Sequence, residues 1–131
     1  MGNAVGVSAP PPTILVVDDD PSILDMLSKR LSRFGYRVLT CIDGENAVQL
    51  AEANSVKVVI LDVMMPRITG WEVARELRAN PATKDIKIIM LTAIGPRMNK
   101  EISPAHGADV YMDKPFDFKL LEATLREFVE D

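Results

Sequence analysis

The sequence predicts an α/β fold, a parallel sheet built from five βα units, on three observations. Short apolar runs without polar alternation recur along the chain, as in strands covered on both faces. Longer stretches of helical period lie between them. Capping residues, glycines and prolines punctuate several of the boundaries, and five such units fit the length from Thr13 onward.

Ile14-Leu15-Val16-Val17, Val58-Val59-Ile60-Leu61 and Ile88-Ile89-Met90-Leu91 are continuous apolar runs and form the expected centre of the sheet. Tyr36 to Thr40 and Asp109 to Met112 are shorter and more mixed, so they are placed as the second and fifth strands, nearer the edges. The first helix is expected from Pro21 to Phe34. Asp20 is its N-cap, Pro21 suits the first helical position, and Gly35 closes the C-terminus. Ile23, Leu24, Leu27, Leu31 and Phe34 make its apolar face. A second helix is expected from Gly44 to Ala53. A third starts at Thr69-Gly70-Trp71-Glu72, which has capping-box spacing, and stops before Asn80-Pro81. Pro96 to Ala105 reads as a short or bent helix, because Ser103-Pro104 interrupts it. The last helix, near Phe116 to Val129, carries Leu121, Leu125 and Phe128 at helical spacing.

At 131 residues the chain holds one domain, expected over 13–131, with no room for a separate output module. Residues 1–12 are small and uncharged and end in three prolines, so they read as a flexible tail rather than a signal peptide. One cysteine, Cys41, and one histidine, His106, exclude a disulfide framework and a Cys/His metal site, and a reducing, cytoplasmic setting is expected. The net charge of −4 with scattered Lys and Arg argues against direct nucleic-acid binding. The apolar runs are strand-sized, so no membrane segment is expected.

The informative residues gather at the C-terminal ends of the predicted strands, where open α/β sheets place their ligands. Strand one ends in Asp18-Asp19-Asp20, strand three in Asp62 and strand four in Thr92, and Lys114-Pro115 follows strand five. Taken singly, each has an ordinary structural reading: Asp20 as a helix cap, Thr92 as another, Lys114-Pro115 as a turn. Taken together, converging carboxylates repel unless a cation joins them, which implies a divalent metal. With no thiol or imidazole at the rim, Mg²⁺ is the natural occupant. Phosphate is then the expected substrate group, with Lys114 as a point charge, Thr92 as a hydroxyl donor and one carboxylate as a nucleophile.

Four motifs then carry a family resemblance. Ile14-Leu15-Val16-Val17-Asp18-Asp19-Asp20-Pro21, Leu61-Asp62-Val63-Met64-Met65-Pro66 followed by Gly70, Leu91-Thr92-Ala93, and Lys114-Pro115-Phe116 resemble the receiver domain of two-component response regulators. The intervals from Asp18 to Asp62, Thr92 and Lys114, 44, 30 and 22 residues in turn, agree with it, and the likeness covers Thr13 to the end. The resemblance implies a flavodoxin-like, doubly wound (βα)5 three-layer sandwich with strand order 2-1-3-4-5. It implies that Asp62 accepts a phosphoryl group, that Asp19 ligates Mg²⁺ directly and Asp18 through water, and that Met64 lends a backbone carbonyl. Lys114 corresponds to the lysine that contacts the phosphoryl group and Ala93 to the small residue that leaves room for it. Thr92 and Tyr111 correspond to the switch pair, although Tyr111 reads equally well as a buried edge-strand aromatic. The implied partners are a sensor histidine kinase or phosphotransfer protein and a downstream protein target, and the implied state is a monomer or weak dimer.

Met64 and Ile94, two positions beyond the acceptor and the threonine, are apolar and cannot orient water, so slow self-dephosphorylation is expected. Ser103-Pro104 points to an unusual output surface. Two other readings compete. Asp18-Asp19-Asp20 resembles the Asp-x-Asp pattern of haloacid-dehalogenase phosphatases, with Asp18 as nucleophile and Asp20 as acid/base, though the chain lacks room for a cap. A degenerate receiver serving only as a scaffold is the other, against which stands the complete acceptor, metal and lysine set. Of the remaining residues, Trp71 is expected to be partly buried, Cys41 inert, and His106 a turn residue rather than a phosphodonor.

Overall fold

The structure, a computed structural model, describes residues 10–92, 107–114 and 117–130. Most of the predicted tail, the expected helix from Pro96 to Ala105, and Ala93, Ile94, His106, Pro115 and Phe116 lie outside them. Five strands, β1 (Thr13–Val17), β2 (Arg37–Cys41), β3 (Val58–Asp62), β4 (Lys87–Thr92) and β5 (Val110–Asp113), form one sheet in the order β2-β1-β3-β4-β5. Every pairing is parallel. The helices among the described residues are α1 (Pro21–Arg33), α2 (Ala47–Ala53), α3 (Gly70–Ala79) and α4 (Phe118–Glu130).

The continuous apolar runs do what their pattern requires. β1 and β3 are buried along their whole length, and their side chains alternate between two cores. Leu15, Val17, Val59, Leu61, Ile88 and Met90 face α2 and α3, where Ala47, Ala51, Val73 and Leu77 meet them. Ile14, Val16, Val58, Ile60, Ile89 and Leu91 face α1 and α4, where Leu27, Leu31, Leu121 and Leu125 close the other side. This is the predicted three-layer, doubly wound architecture, and it places the reversal of strand order between β1 and β3.

Local signals set the helix ends. Asp20 caps α1 by accepting hydrogen bonds from the Ser22 N–H at 3.0 Å and its hydroxyl at 2.7 Å, and Gly35 takes the left-handed φ of +96° that ends it. At α3 the Thr69 hydroxyl accepts from the Glu72 N–H at 3.3 Å while the Glu72 carboxylate accepts from the Thr69 N–H at 3.1 Å, the predicted capping box. α2 starts at Ala47, three residues later than expected. Asp43 accepts hydrogen bonds from the Asn46 N–H and side-chain amide, both at 3.1 Å, and holds a turn there. Gly44 is packed so closely that a Cβ would lie 2.8 Å from Ile68 and Val73.

Candidate phosphoacceptor site

Asp18 follows β1 and Asp62 ends β3, so the two neighbouring strands at the order reversal deliver a carboxylate each to the same edge. Both are buried: Asp18 is 1% exposed and Asp62 5%. Carboxylate oxygens of Asp18, Asp19 and Asp62 all lie within 4.8 Å of one another, with Asp19 on the open side. Lys114, one residue beyond β5, reaches across. Its Nζ donates to Oδ2 of Asp18 and to Oδ1 of Asp62, each at 3.2 Å. The strand ladder fixes its position, because the Lys114 N–H donates to the carbonyl of Thr92 at 2.9 Å.

The electrostatics follow from this crowding. Burial pushes the Asp62 carboxyl above the usual carboxylate range, and the Asp18 charge pushes it further in the same direction, while Lys114 and the Met64 N–H work against both. Asp18 is also raised, chiefly by burial, although the Asp20 N–H donates to it at 2.9 Å and Lys114 lies beside it. Burial alone would pull the Lys114 ammonium down, but the charges of Asp18 and Asp62 and its hydrogen bonds to both hold it above the ordinary lysine value. One ammonium between two buried carboxylates leaves negative charge over. The oxygen-only donor set of Asp18, Asp19 and Asp62 therefore suits a hard divalent cation such as Mg²⁺.

Thr92 is fully buried at the end of β4, and Tyr111 lies half-buried on β5. The register pairs Tyr111 with Met90 and Asp113 with Thr92, so Tyr111 and Thr92 lie on the same face of the sheet. Met64 is 61% exposed at the rim, whereas Met65 is buried. Asp20 stands apart from the cluster, and its hydrogen bonds from Ser22 hold its carboxyl below the usual range, the wrong direction for the acid/base of a phosphatase.

Gly70 and Trp71 stand in the sequence as part of the Asp62 motif and of a helix start, but their contacts across the fold have no marker there. A Cβ on Gly70 would run into the backbone carbonyl of Asp62, and the Gly70 N–H donates to Val63 O at 3.0 Å, so the start of α3 is seated directly on the end of β3. The Trp71 indole N–H donates to the Tyr111 hydroxyl at 3.2 Å across 40 residues of sequence. Arg67, in the loop after Asp62, adopts a left-handed φ of 68°.

Residues 14–126 match the model of the response regulator receiver domain. The chain belongs to that family. The receiver domain is 46% identical over 116 residues to a probable transcriptional regulator, ycf27, of Cyanophora paradoxa, covering 88% of this chain and 47% of that protein. It is 39% identical over 115 residues to the DNA-binding dual master transcriptional regulator RpaA of Synechocystis, covering 88% of this chain and 48% of that protein. Among solved structures, the response regulator TrrA of Thermotoga maritima in complex with Mg²⁺ and beryllofluoride superimposes with a TM-score of 0.79 at 38% identity, covering 89% of this chain and 98% of that one.

The chain spans about half the length of the curated relatives it matches. The exclusion of nucleic-acid binding is corrected by these relatives, one named as a probable transcriptional regulator and the other as a DNA-binding transcriptional regulator. A net charge of −4 describes 131 residues alone, whereas more than half of each relative lies outside the match, so the charge argument could not reach it. As for the membrane, no helix among the described residues is long and apolar enough to cross one.

Proposed function

We propose that this receiver domain accepts a phosphoryl group on Asp62 from the phosphohistidine of a sensor histidine kinase or phosphotransfer protein, in a Mg²⁺-dependent reaction, and signals by changing conformation. The observation that carries the proposal is Lys114 Nζ, held 3.2 Å from Asp62 inside a cluster with two further carboxylates. Asp18, Asp19, Asp62 and the backbone carbonyl of Met64 would hold the ion. When bound, it supplies positive charge that offsets the carboxylates and the incoming phosphoryl oxygens.

This chain's own residues do the rest. An Asp62 oxygen attacks phosphorus as the P–N bond to histidine breaks, and the departing imidazole takes a proton. Lys114 transfers its hydrogen bonds from the carboxylates to the phosphoryl oxygens, and the Thr92 hydroxyl donates to another of them. The resemblance assigns Ala93 as the small residue that would leave room for the group, and Thr92 with Tyr111 would transmit its arrival to the surface. The chemistry amounts to the domain's own phosphorylation and dephosphorylation. We take residues 13–131 as the receiver unit, and the relatives named as transcriptional regulators point to control of transcription as the output.

Acetyl phosphate with Mg²⁺ tests this reading directly. Intact-mass analysis is expected to show one added phosphoryl group, lost in Asp62→Asn and retained in Asp20→Asn. Labelling of Asp18 in place of Asp62 would transfer the case to the phosphatase reading, and no labelling with no beryllofluoride binding would leave the scaffold reading.

A further inference from the structure

Trp71 is the single tryptophan of the chain, and its indole lies between two parts of the candidate site. On one side, it follows Gly70, whose backbone is pressed against the Asp62 carbonyl and hydrogen-bonded to Val63 O at 3.0 Å. On the other, its N–H donates to Tyr111 on β5 at 3.2 Å. Three residues past Tyr111, Lys114 returns to Asp62 at 3.2 Å. The backbone and these contacts form a closed ring: Asp62, Gly70, Trp71, Tyr111, Lys114 and back to Asp62.

We propose that Trp71 is a positioning residue that couples the acidic pocket to β5 by holding Tyr111 in the arrangement where Lys114 bridges Asp18 and Asp62. The inference rests on the phosphoacceptor reading of the site. When Lys114 is drawn from the carboxylates to a phosphoryl group, the ring is strained, and the indole hydrogen bond, at 3.2 Å between two uncharged side chains, yields more readily than the charged Lys114 links. The bond therefore favours the Lys114-bridged arrangement and opposes the loaded one. Trp71→Phe keeps an aromatic ring and deletes the donor. Tyr111→Phe deletes the acceptor.

Beryllofluoride with Mg²⁺ is the probe. Each single variant is expected to bind it about 3- to 10-fold more tightly than the wild type, the range that loss of one neutral hydrogen bond gives. The double variant should gain no more than either alone, because both remove the same bond. In the wild type, the indole N–H resonance should move when the probe binds, since that N–H donates to Tyr111, and circular dichroism verifies that each variant is folded. Wild-type binding with unchanged or weaker binding in Trp71→Phe would overturn the coupling and leave the phosphoacceptor reading standing. Additive gains in the double variant, or an unmoved indole resonance, would overturn it equally. No binding by the wild type would overturn both.

Discussion

Gly70 lies against the backbone carbonyl of Asp62 so closely that no side chain fits between them. The start of α3 and the end of β3 are thus in backbone contact, and the capping box at Thr69 and Glu72 fixes the direction in which the helix leaves. Gly70→Ala must push the two apart. A loss of about 1–3 kcal/mol, the usual cost of overpacking, is expected in thermal or denaturant unfolding. Phosphorylation by acetyl phosphate should slow as well, since the displaced strand end carries Asp62, the proposed acceptor. An alanine variant with wild-type stability and labelling rate would show that this contact relaxes freely.

The pocket carboxylates reverse the usual acid dependence of stability. The folded-state pKa values of Asp18 and Asp62 are raised, so the folded protein holds their protons more tightly than the unfolded chain does. Well below the ordinary carboxylate value of 3.8 both states are protonated and the two groups leave stability unchanged. As pH climbs from that value through the folded-state pKa, each group withdraws stability. Metal-free Asp62→Asn is therefore expected to melt higher than the wild type at neutral pH and to lose that advantage in acid. Lys114 runs the other way around. Its raised pKa adds stability that is complete below 10.5 and vanishes as pH rises through the folded-state value, so Lys114→Ala should destabilise at neutral pH. Melting curves across pH decide both.

A bound ion should stabilise the fold by mass action. Mg²⁺ at 100 times its dissociation constant is expected to add roughly 2.7 kcal/mol, visible as a rise in Tm that EDTA reverses. Asp19→Asn should lose most of this rise with little change in the metal-free Tm, because Asp19 lies on the exposed side of the cluster. An equal Mg²⁺ response in the variant would remove Asp19 from the ligand set.

Arg78 separates stability from chemistry. From α3 it donates to the carbonyls of Gly107 at 3.0 Å, Lys84 at 2.7 Å and Ile86 at 2.5 Å, and to the Asp109 carboxylate at 2.7 Å. Asp109 in turn accepts from the Ile88 N–H at 2.7 Å. The network ties α3 to the starts of β4 and β5, at the end of the sheet opposite the carboxylates. Arg78→Ala is expected to cost about 2–4 kcal/mol through unpaired polar groups, yet to leave the labelling rate of the still-folded protein near that of the wild type.

Much of this was legible in sequence because it is local. Strand centres announce themselves as apolar runs, and Asp20-Pro21 and Thr69 to Glu72 encode their own helix starts. The carboxylate rim was also legible, since every parallel strand ends at the same edge of the sheet. What escaped depends on residues far apart in the chain. Gly44 lies in the turn that Asp43 holds before α2, and its close approach to Ile68 and Val73 has no marker in its own stretch of sequence. Asp109 precedes β5 instead of opening it, and its carboxylate serves Arg78 and Ile88. The Trp71 to Tyr111 bond joins residues that no helical or strand period relates.

Met64 gives the last prediction. The residue is 61% exposed, two positions beyond the proposed acceptor Asp62, and a thioether neither orients nor activates water by strong hydrogen bonding. The Met64 side chain offers no base to water arriving past it at phospho-Asp62, so the phosphorylated domain is expected to persist well beyond seconds. Met64→Gln places a hydrogen-bonding amide at the same spot, and a dephosphorylation rate at least about tenfold higher is expected from positioning water alone. The exposure of Met64 means the exchange should hardly alter stability, so a faster rate would report on water rather than on a loosened fold. A wild-type lifetime of only seconds, or an unchanged rate in the glutamine variant, would show that water reaches the phosphoryl group by another route.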